Sequence, residues 1–285
     1  MNKAELLSLL SSMDIKPSRK LGQNFLLDPN LLDSMVRLAG VESGQRILEI
    51  GPGTGALTER LVASGADVTA VELDHRLAGY LREHFASASN FKLVEADACK
   101  TDLGALMGDS PFRCIANLPY SCSSQLLAAL VAMKNPPSDI HVLLQKEMAD
   151  RLAARPGTKD YGVLTVRLGL RYRSTIVKSI DPRVFFPPPE VISAFTRLTW
   201  LPEQLEPSLV EMTSNVAGIA FAQRRKKSLR LLQNVYDSTI VEEGFRQIGL
   251  AEDSRADAIT IPQYVALARI LKGHEQVVDG KGTEA

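Results

Sequence analysis

Five short runs, at residues 46–50, 68–72, 91–95, 112–116 and 140–144, are apolar, mostly β-favouring and too short for core helices. Between them, apolar positions recur at helical spacing over 57–64, 77–85 and 126–133. Strands that alternate with helices predict an α/β architecture, a parallel sheet with both faces covered. Beyond Gly162 the pattern changes. Apolar stretches at 163–170 and 174–180, a proline-rich turn and an alternating stretch at 193–200 predict a hairpin that closes the sheet edge. Residues 201–208 carry two prolines and read as a linker. Helical spacing over 209–221, 227–235, 240–248 and 264–271 then predicts a small α-helical domain, with a frayed tail after Gly273. The expected domains are 1–201 and 202–285.

Composition narrows the class of protein. The chain has 285 residues, 45% hydrophobic and 23% charged, which suits an α/β domain plus a smaller one. No apolar run approaches the ~20 residues needed to cross a bilayer, and none follows a basic N-terminal segment. A cytoplasmic protein without a membrane partner is expected. Cys99, Cys114 and Cys122 form no C-x-x-C or Cys/His cluster, which argues against a disulfide framework and against a metal site. Net charge is zero, yet residues 41–110 hold 6 basic and 11 acidic residues, so the flanking regions are net basic. That distribution admits a polyanionic partner.

The segment 47–56, I-L-E-I-G-P-G-T-G-A, runs from a strand through a glycine-rich turn into a helix. Gly51, Gly53 and Gly55 let backbone approach a ligand where a Cβ would clash. Glu72 ends the next strand, where a carboxylate can accept both hydroxyls of a ribose. Gly51, Gly53 and Ala56 also satisfy the dinucleotide fingerprint, which leaves a nicotinamide-dependent dehydrogenase open. Glu49 ahead of the glycines and Asp97 after the third strand favour S-adenosylmethionine, with Asp97 accepting from the cofactor's adenine amine.

Asn117, Leu118, Pro119 and Tyr120 follow the fourth strand, at the sheet end where open α/β folds bind ligands. This turn suits methylation of an adenine's exocyclic amine. The Asn117 side-chain oxygen and the Leu118 carbonyl can accept its two hydrogens while Tyr120 stacks on the base. Glu59 and Asp74 are bases by type but read better as helix caps and surface groups. Arg224, Arg225, Lys226, Lys227 and Arg230 form the densest basic cluster and are candidates for RNA phosphates. Lys16, Arg19 and Lys20 form a second cluster, and Lys146, Arg151, Arg155 and Lys159 a third.

Together these stretches resemble the small-subunit ribosomal RNA adenine N6,N6-dimethyltransferases over nearly the whole chain. The matching segments are L-G-Q-N-F-L at 21–26, E-I-G-P-G-T-G at 49–55, N-L-P-Y at 117–120 and Q-K-E at 145–147. Y-G at 161–162, F-F-P-P-P at 185–189, S-A at 193–194 and R-R-K-K-S-L-R at 224–230 complete the set. The resemblance implies a Rossmann-like class I methyltransferase fold and a helical RNA-binding domain at 202–285. It implies dimethylation of two adjacent adenines near the 3′ end of small-subunit ribosomal RNA, by a monomer acting on the maturing small ribosomal subunit.

Position by position, it implies that Asn24 and Leu26 line the open side of the cofactor beneath the N-terminal segment 1–40. Gly51, Gly53, Glu72, Asp97 and Asn117 complete that pocket. Phe185 is implied to face Tyr120 across the target base. Cys122 and Glu190 depart from the family pattern, which has an aliphatic residue and a lysine there. The rival readings are a large-subunit adenine methylase of the macrolide-resistance type, a DNA adenine methyltransferase and a non-catalytic RNA-binding assembly factor.

Overall fold

A computed structural model of the chain describes residues 1–17 and 23–279, with side chains through residue 274. Arg19, Lys20, Leu21, Gly22 and the tail beyond 279 lie outside the described residues. The chain divides into two compact units, Met1–Ala149 with Ser174–Trp200 and Asp150–Arg173 with Leu201–Ala285.

The first unit begins with α1 (Lys3–Ser12), β1 (Phe25–Leu26) and α2 (Pro29–Ala39). Regular alternation follows: β2 (Arg46–Ile50), α3 (Ala56–Ala63), β3 (Asp67–Glu72), α4 (His75–His84) and β4 (Phe91–Glu95). Next come α5 (Leu103–Met107), β5 (Arg113–Asn117), α6 (Ser123–Ala132) and β6 (Asp139–Gln145). Helices α7 (Lys146–Leu152) and α8 (Val163–Gly169) carry the chain out of this unit, and β7 (Tyr172–Ile180), β8 (Phe185–Phe186) and β9 (Ser193–Trp200) return it.

Seven strands form one sheet in the order β4-β3-β2-β5-β6-β9-β7, while β1 and β8 pair separately. Strands β2 to β6 pair in parallel, and β9 is antiparallel to β6. The chain builds outward from β2 through β4, then crosses to β5 on the other side of β2. That reversal opens a crevice at the C-terminal ends of β2 and β5, the place where such sheets take ligands. Helices on both faces explain why β5 and β6 are buried along almost their whole length.

Local signals set the helix ends. Asp28 caps α2 by accepting from Leu31 N at 3.1 Å, Pro29 occupies its first turn, and Gly40 ends it in the left-handed region. Between α2 and β5 lies a saturated polar node. All five N–H donors of Arg113 are used, on both Asp139 oxygens (2.7 and 2.8 Å), Gln45 Oε1 (2.7 Å), the Gly40 carbonyl (3.1 Å) and the Ala39 carbonyl. Burial would raise the Asp139 carboxyl, but hydrogen bonds from His141 and Arg113 outweigh it and hold Asp139 below its ordinary value.

The second unit holds α9 (Pro207–Phe221), α10 (Ser228–Gln233), α11 (Ser238–Gln247) and α12 (Ile261–Asp279). Its core includes Val216, Leu232, Phe245, Tyr264 and Leu267. Three expectations are corrected here. Residues 163–170 form a helix and not an edge strand, because Val166 drops into this helical core and Thr165 caps the turn. The Thr165 hydroxyl accepts from Gly162 N at 3.1 Å and donates to the Arg151 carbonyl at 2.7 Å. The segment 150–173 accordingly belongs with the helical unit and not with 1–201. Tyr161 holds it there, its ring buried and its hydroxyl donating to the Ile259 carbonyl at 3.1 Å. Helix α12 continues past Gly273, where fraying was expected. No helix among the described residues is long and apolar enough to cross a membrane.

Candidate active site

The turn after β2 is built for close approach. Gly51 and Gly53 have φ of +68° and +59°, a region side chains disfavour. A Cβ on Gly51 would stand 3.3 Å from Pro119 Cγ, and one on Gly53 would stand 3.3 Å from the Phe25 ring. A side chain at either position would strain the backbone and press on its neighbour.

Three carboxyl groups surround this turn in unlike states. Glu49, on β2, is fully buried and accepts from the Thr58 hydroxyl at 2.7 Å. Burial, opposed by that hydrogen bond and reinforced by the neighbouring Glu72, pushes its pKa up to about 8. Glu72, ending β3, accepts from Gly53 N at 3.1 Å and Asp74 N at 2.9 Å, one bond to each oxygen. Burial raises its pKa, while backbone donors oppose the rise. Glu72 thus pins the glycine turn and keeps lone pairs for a ligand hydroxyl. Asp97 accepts from Cys99 N at 2.9 Å, with Lys100 Nζ 3.5 Å away. Asp74 and Glu59 are occupied structurally: Asp74 caps α4, and Glu59 lies 2.9 Å from His84 Nε2.

These groups open on a single cavity of about 380 Å³. Asn24, Leu26, Gly51, Gly53, Glu72, Asp97 and Asn117 all line it, so all seven expected cofactor positions converge. The N-terminal segment supplies one wall. Helix α1 packs through Leu6 and Leu10 with Ile15, Phe25 and Leu77, and both Phe25 and Leu77 face the cavity. Asn117 ends β5 with a fixed orientation, its Nδ2 donating to the Asn24 carbonyl at 3.0 Å. Its Oδ1 is buried and has no hydrogen-bond partner among the described residues. An unsatisfied buried acceptor costs about 1–3 kcal/mol, so a ligand donor is the natural partner.

Matching this geometry, residues 15–272 fit the family model described as ribosomal RNA adenine dimethylase. The chain belongs to that family. It is 36% identical to a ribosomal RNA small subunit methyltransferase A of Methylococcus capsulatus over 90% of this chain and 98% of the relative. To the protein of the same name from Hahella chejuensis it is 38% identical, over 90% and 93%. Among solved structures, the 23S rRNA methyltransferase ErmE superposes with a TM-score of 0.66 at 26% identity, covering 87% of this chain and all of that one. A dimethyladenosine transferase from Plasmodium falciparum reaches 0.69 at 24% identity, over 85% and 95%, and speaks for the fold.

Within this dimethylase the remaining expected residues are placed unevenly. Tyr120 is half-buried just outside the cavity lining, its hydroxyl 2.5 Å from Ser193 Oγ. Leu118 buries its side chain. Phe185 is only 3% exposed and sits in the core with Leu26, Leu32 and Ile115, whereas Phe186 is half-buried. The structure thus keeps the Phe185 ring off the cavity lining. Cys122, which departs from the family pattern, lines the cavity, and so does Cys99.

The basic clusters differ as much. Arg225, Lys226, Lys227 and Arg230 are exposed. Arg224 is exposed too but turns back on its own unit, donating to the carbonyls of Thr158 (3.4 Å), Tyr161 (3.3 Å) and Lys159, near Asp257. The third cluster is split, with Lys146 in the first unit and Arg151, Arg155 and Lys159 in the second. Sequence reasoning missed Thr58 as the partner of Glu49 and Ser193 as the partner of Tyr120. A hydroxyl one turn into α3 was a usable signal for the first; nothing local announced the second.

Proposed function

We propose that this dimethylase transfers methyl groups from S-adenosylmethionine to the N6 amine of two adjacent adenines near the 3′ end of small-subunit ribosomal RNA, during subunit maturation. The observation that carries the reading is the buried, unpartnered Oδ1 of Asn117, a residue that lines the cavity. One Nδ2 hydrogen is held by the Asn24 carbonyl, which fixes the amide, and an incoming N–H or O–H can satisfy the oxygen. An exocyclic amine has such hydrogens, and the small-subunit relatives supply the choice of RNA.

The cavity suits the cofactor on its own chemistry. A glycine cradle without side chains, Glu72 at a ribose position and Asp97 near an adenine position match an uncharged nucleoside better than a dinucleotide phosphate. When bound, the sulfonium supplies an already activated methyl group, so neither metal nor strong base is needed. The protein supplies alignment. Asn117 Oδ1 and the Leu118 carbonyl orient the amine, Pro119 stiffens the turn, and the Tyr120 ring supports the base. Stacking of this kind is worth about 1–3 kcal/mol per base, which offsets part of the cost of unstacking it from RNA. Arg225, Lys226, Lys227 and Arg230 are proposed to hold phosphates.

Labelled S-adenosylmethionine offered with undermethylated small subunits, naked large-subunit RNA or DNA tests the reading. Dimethyladenosine from small subunits alone is expected. Label in large-subunit RNA would move the chain to the methylases that the ErmE likeness represents, and no label anywhere would leave a binding factor.

A further inference from the structure

The hydrogen bond between Tyr120 and Ser193 spans 73 residues of sequence and joins the turn after β5 to the start of β9. Ser193 is fully buried and cannot touch a substrate. Its own place is rigid. It pairs with Gln145, the last residue of β6, and the preceding Ile192 carbonyl accepts from Lys146 N at 2.9 Å. Tyr120, by contrast, lies in a short turn and is only half-buried. A phenol tied at its far end points in one direction, whereas an untied ring on a turn samples several rotamers. The bond also occupies the hydroxyl, so what Tyr120 offers outward is its ring face.

We propose that Ser193 is a positioning residue for the transfer: its hydroxyl fixes the direction of the Tyr120 ring before RNA arrives, so that the acceptor adenine meets a preset platform. This rests on the adenine-transfer reading above. Orientation set in advance lowers the barrier to transfer without strengthening cofactor binding.

The test is a double-mutant cycle of Ser193→Ala, Tyr120→Phe and both together. Turnover on undermethylated small subunits, cofactor affinity by calorimetry and thermal melting are measured for each. Each single variant should lower kcat about tenfold, the scale of one hydrogen bond, with KM for subunits and cofactor affinity unchanged. The double variant should be no slower than either single one. Wild-type kcat in Ser193→Ala, or a double loss equal to the product of the single losses, would overturn the inference alone. So would a loss that tracks weaker cofactor binding and a lower melting temperature, which marks a structural role. A wild-type protein that labels no adenine would overturn the functional reading as well.

Discussion

Strand β5 carries a polar residue at each end, and the two are in opposite states. Arg113 at its start has every donor matched by a carboxylate, an amide or a carbonyl. Asn117 at its finish has one amide hydrogen matched and its acceptor left bare among the described residues. Both are part-buried and both are held by distant segments of chain, so burial does not separate them. Completeness does. A closed set of bonds stabilises the fold, while an open one costs stability until a ligand closes it. The same contrast recurs in the helical unit, where Arg224 and Arg225 are both exposed, yet among the described residues Arg224 is tied to carbonyls and Arg225 to none.

The sharpest way to break the contrast is Asn117→Ala. Loss of the bare acceptor should cut turnover about a hundred- to a thousandfold while subunit binding holds, and the lost Asn24 bond and the removed bare acceptor should offset each other in melting temperature. Near-normal turnover would sink the amine orientation. Asp139→Ala should do the reverse. It strands Arg113 and is expected to lower unfolding free energy by about 3 kcal/mol in urea titration, with cofactor affinity intact. Because the Asp139 carboxyl sits below its ordinary value, its contribution is present above that ordinary value and is lost as pH falls through the lowered one.

Glu49 sharpens the comparison from inside the cavity. With its pKa up from 4.5 to about 8, the folded state binds the extra proton between those values, so stability falls as pH rises through that window. Glu49→Gln keeps an acceptor for Thr58 and removes the charge. Unfolding without cofactor, compared at about pH 6 and about pH 9, should show the variant gaining on the wild type by a few kcal/mol at most. An equal gap at both values would refute the buried, proton-bearing carboxyl. The smallest effect belongs to Arg225→Ala, which should weaken subunit binding uniformly and reduce its salt slope by about 1, with no change in melting.

Much of this was legible because it is periodic or local. The strands β2 to β6 and the helices after Pro207 follow from apolar spacing, and the cavity-lining positions Gly51, Glu72, Asp97 and Asn117 follow from their places at strand ends. The misreading at 163–170 shows the limit. V-L-T-V-R-L-G-L is rich in β-formers, yet packing of Val166 in the helical core overrides that preference. The state of Asn117 was invisible for a different reason. Its type and position could be read, but which atom lacked a partner depends on the Asn24 carbonyl, 93 residues away in sequence. Ser193 and Phe185 belong to the same class, since their surroundings are assembled from remote segments.

The contact between Gly51 and Pro119 bears on how the two reactants are spaced. One lies in the proposed cofactor cradle and the other in the proposed acceptor turn, and the missing Cβ of glycine leaves the proline ring its place. The two turns are therefore gauged against each other by the bare Gly51 backbone on one side and the rigid Pro119 ring on the other. If transfer runs as proposed, its ruler lies in two adjacent loops, and one added carbon at Gly51 would press on the turn that holds the acceptor as well as on the cradle itself.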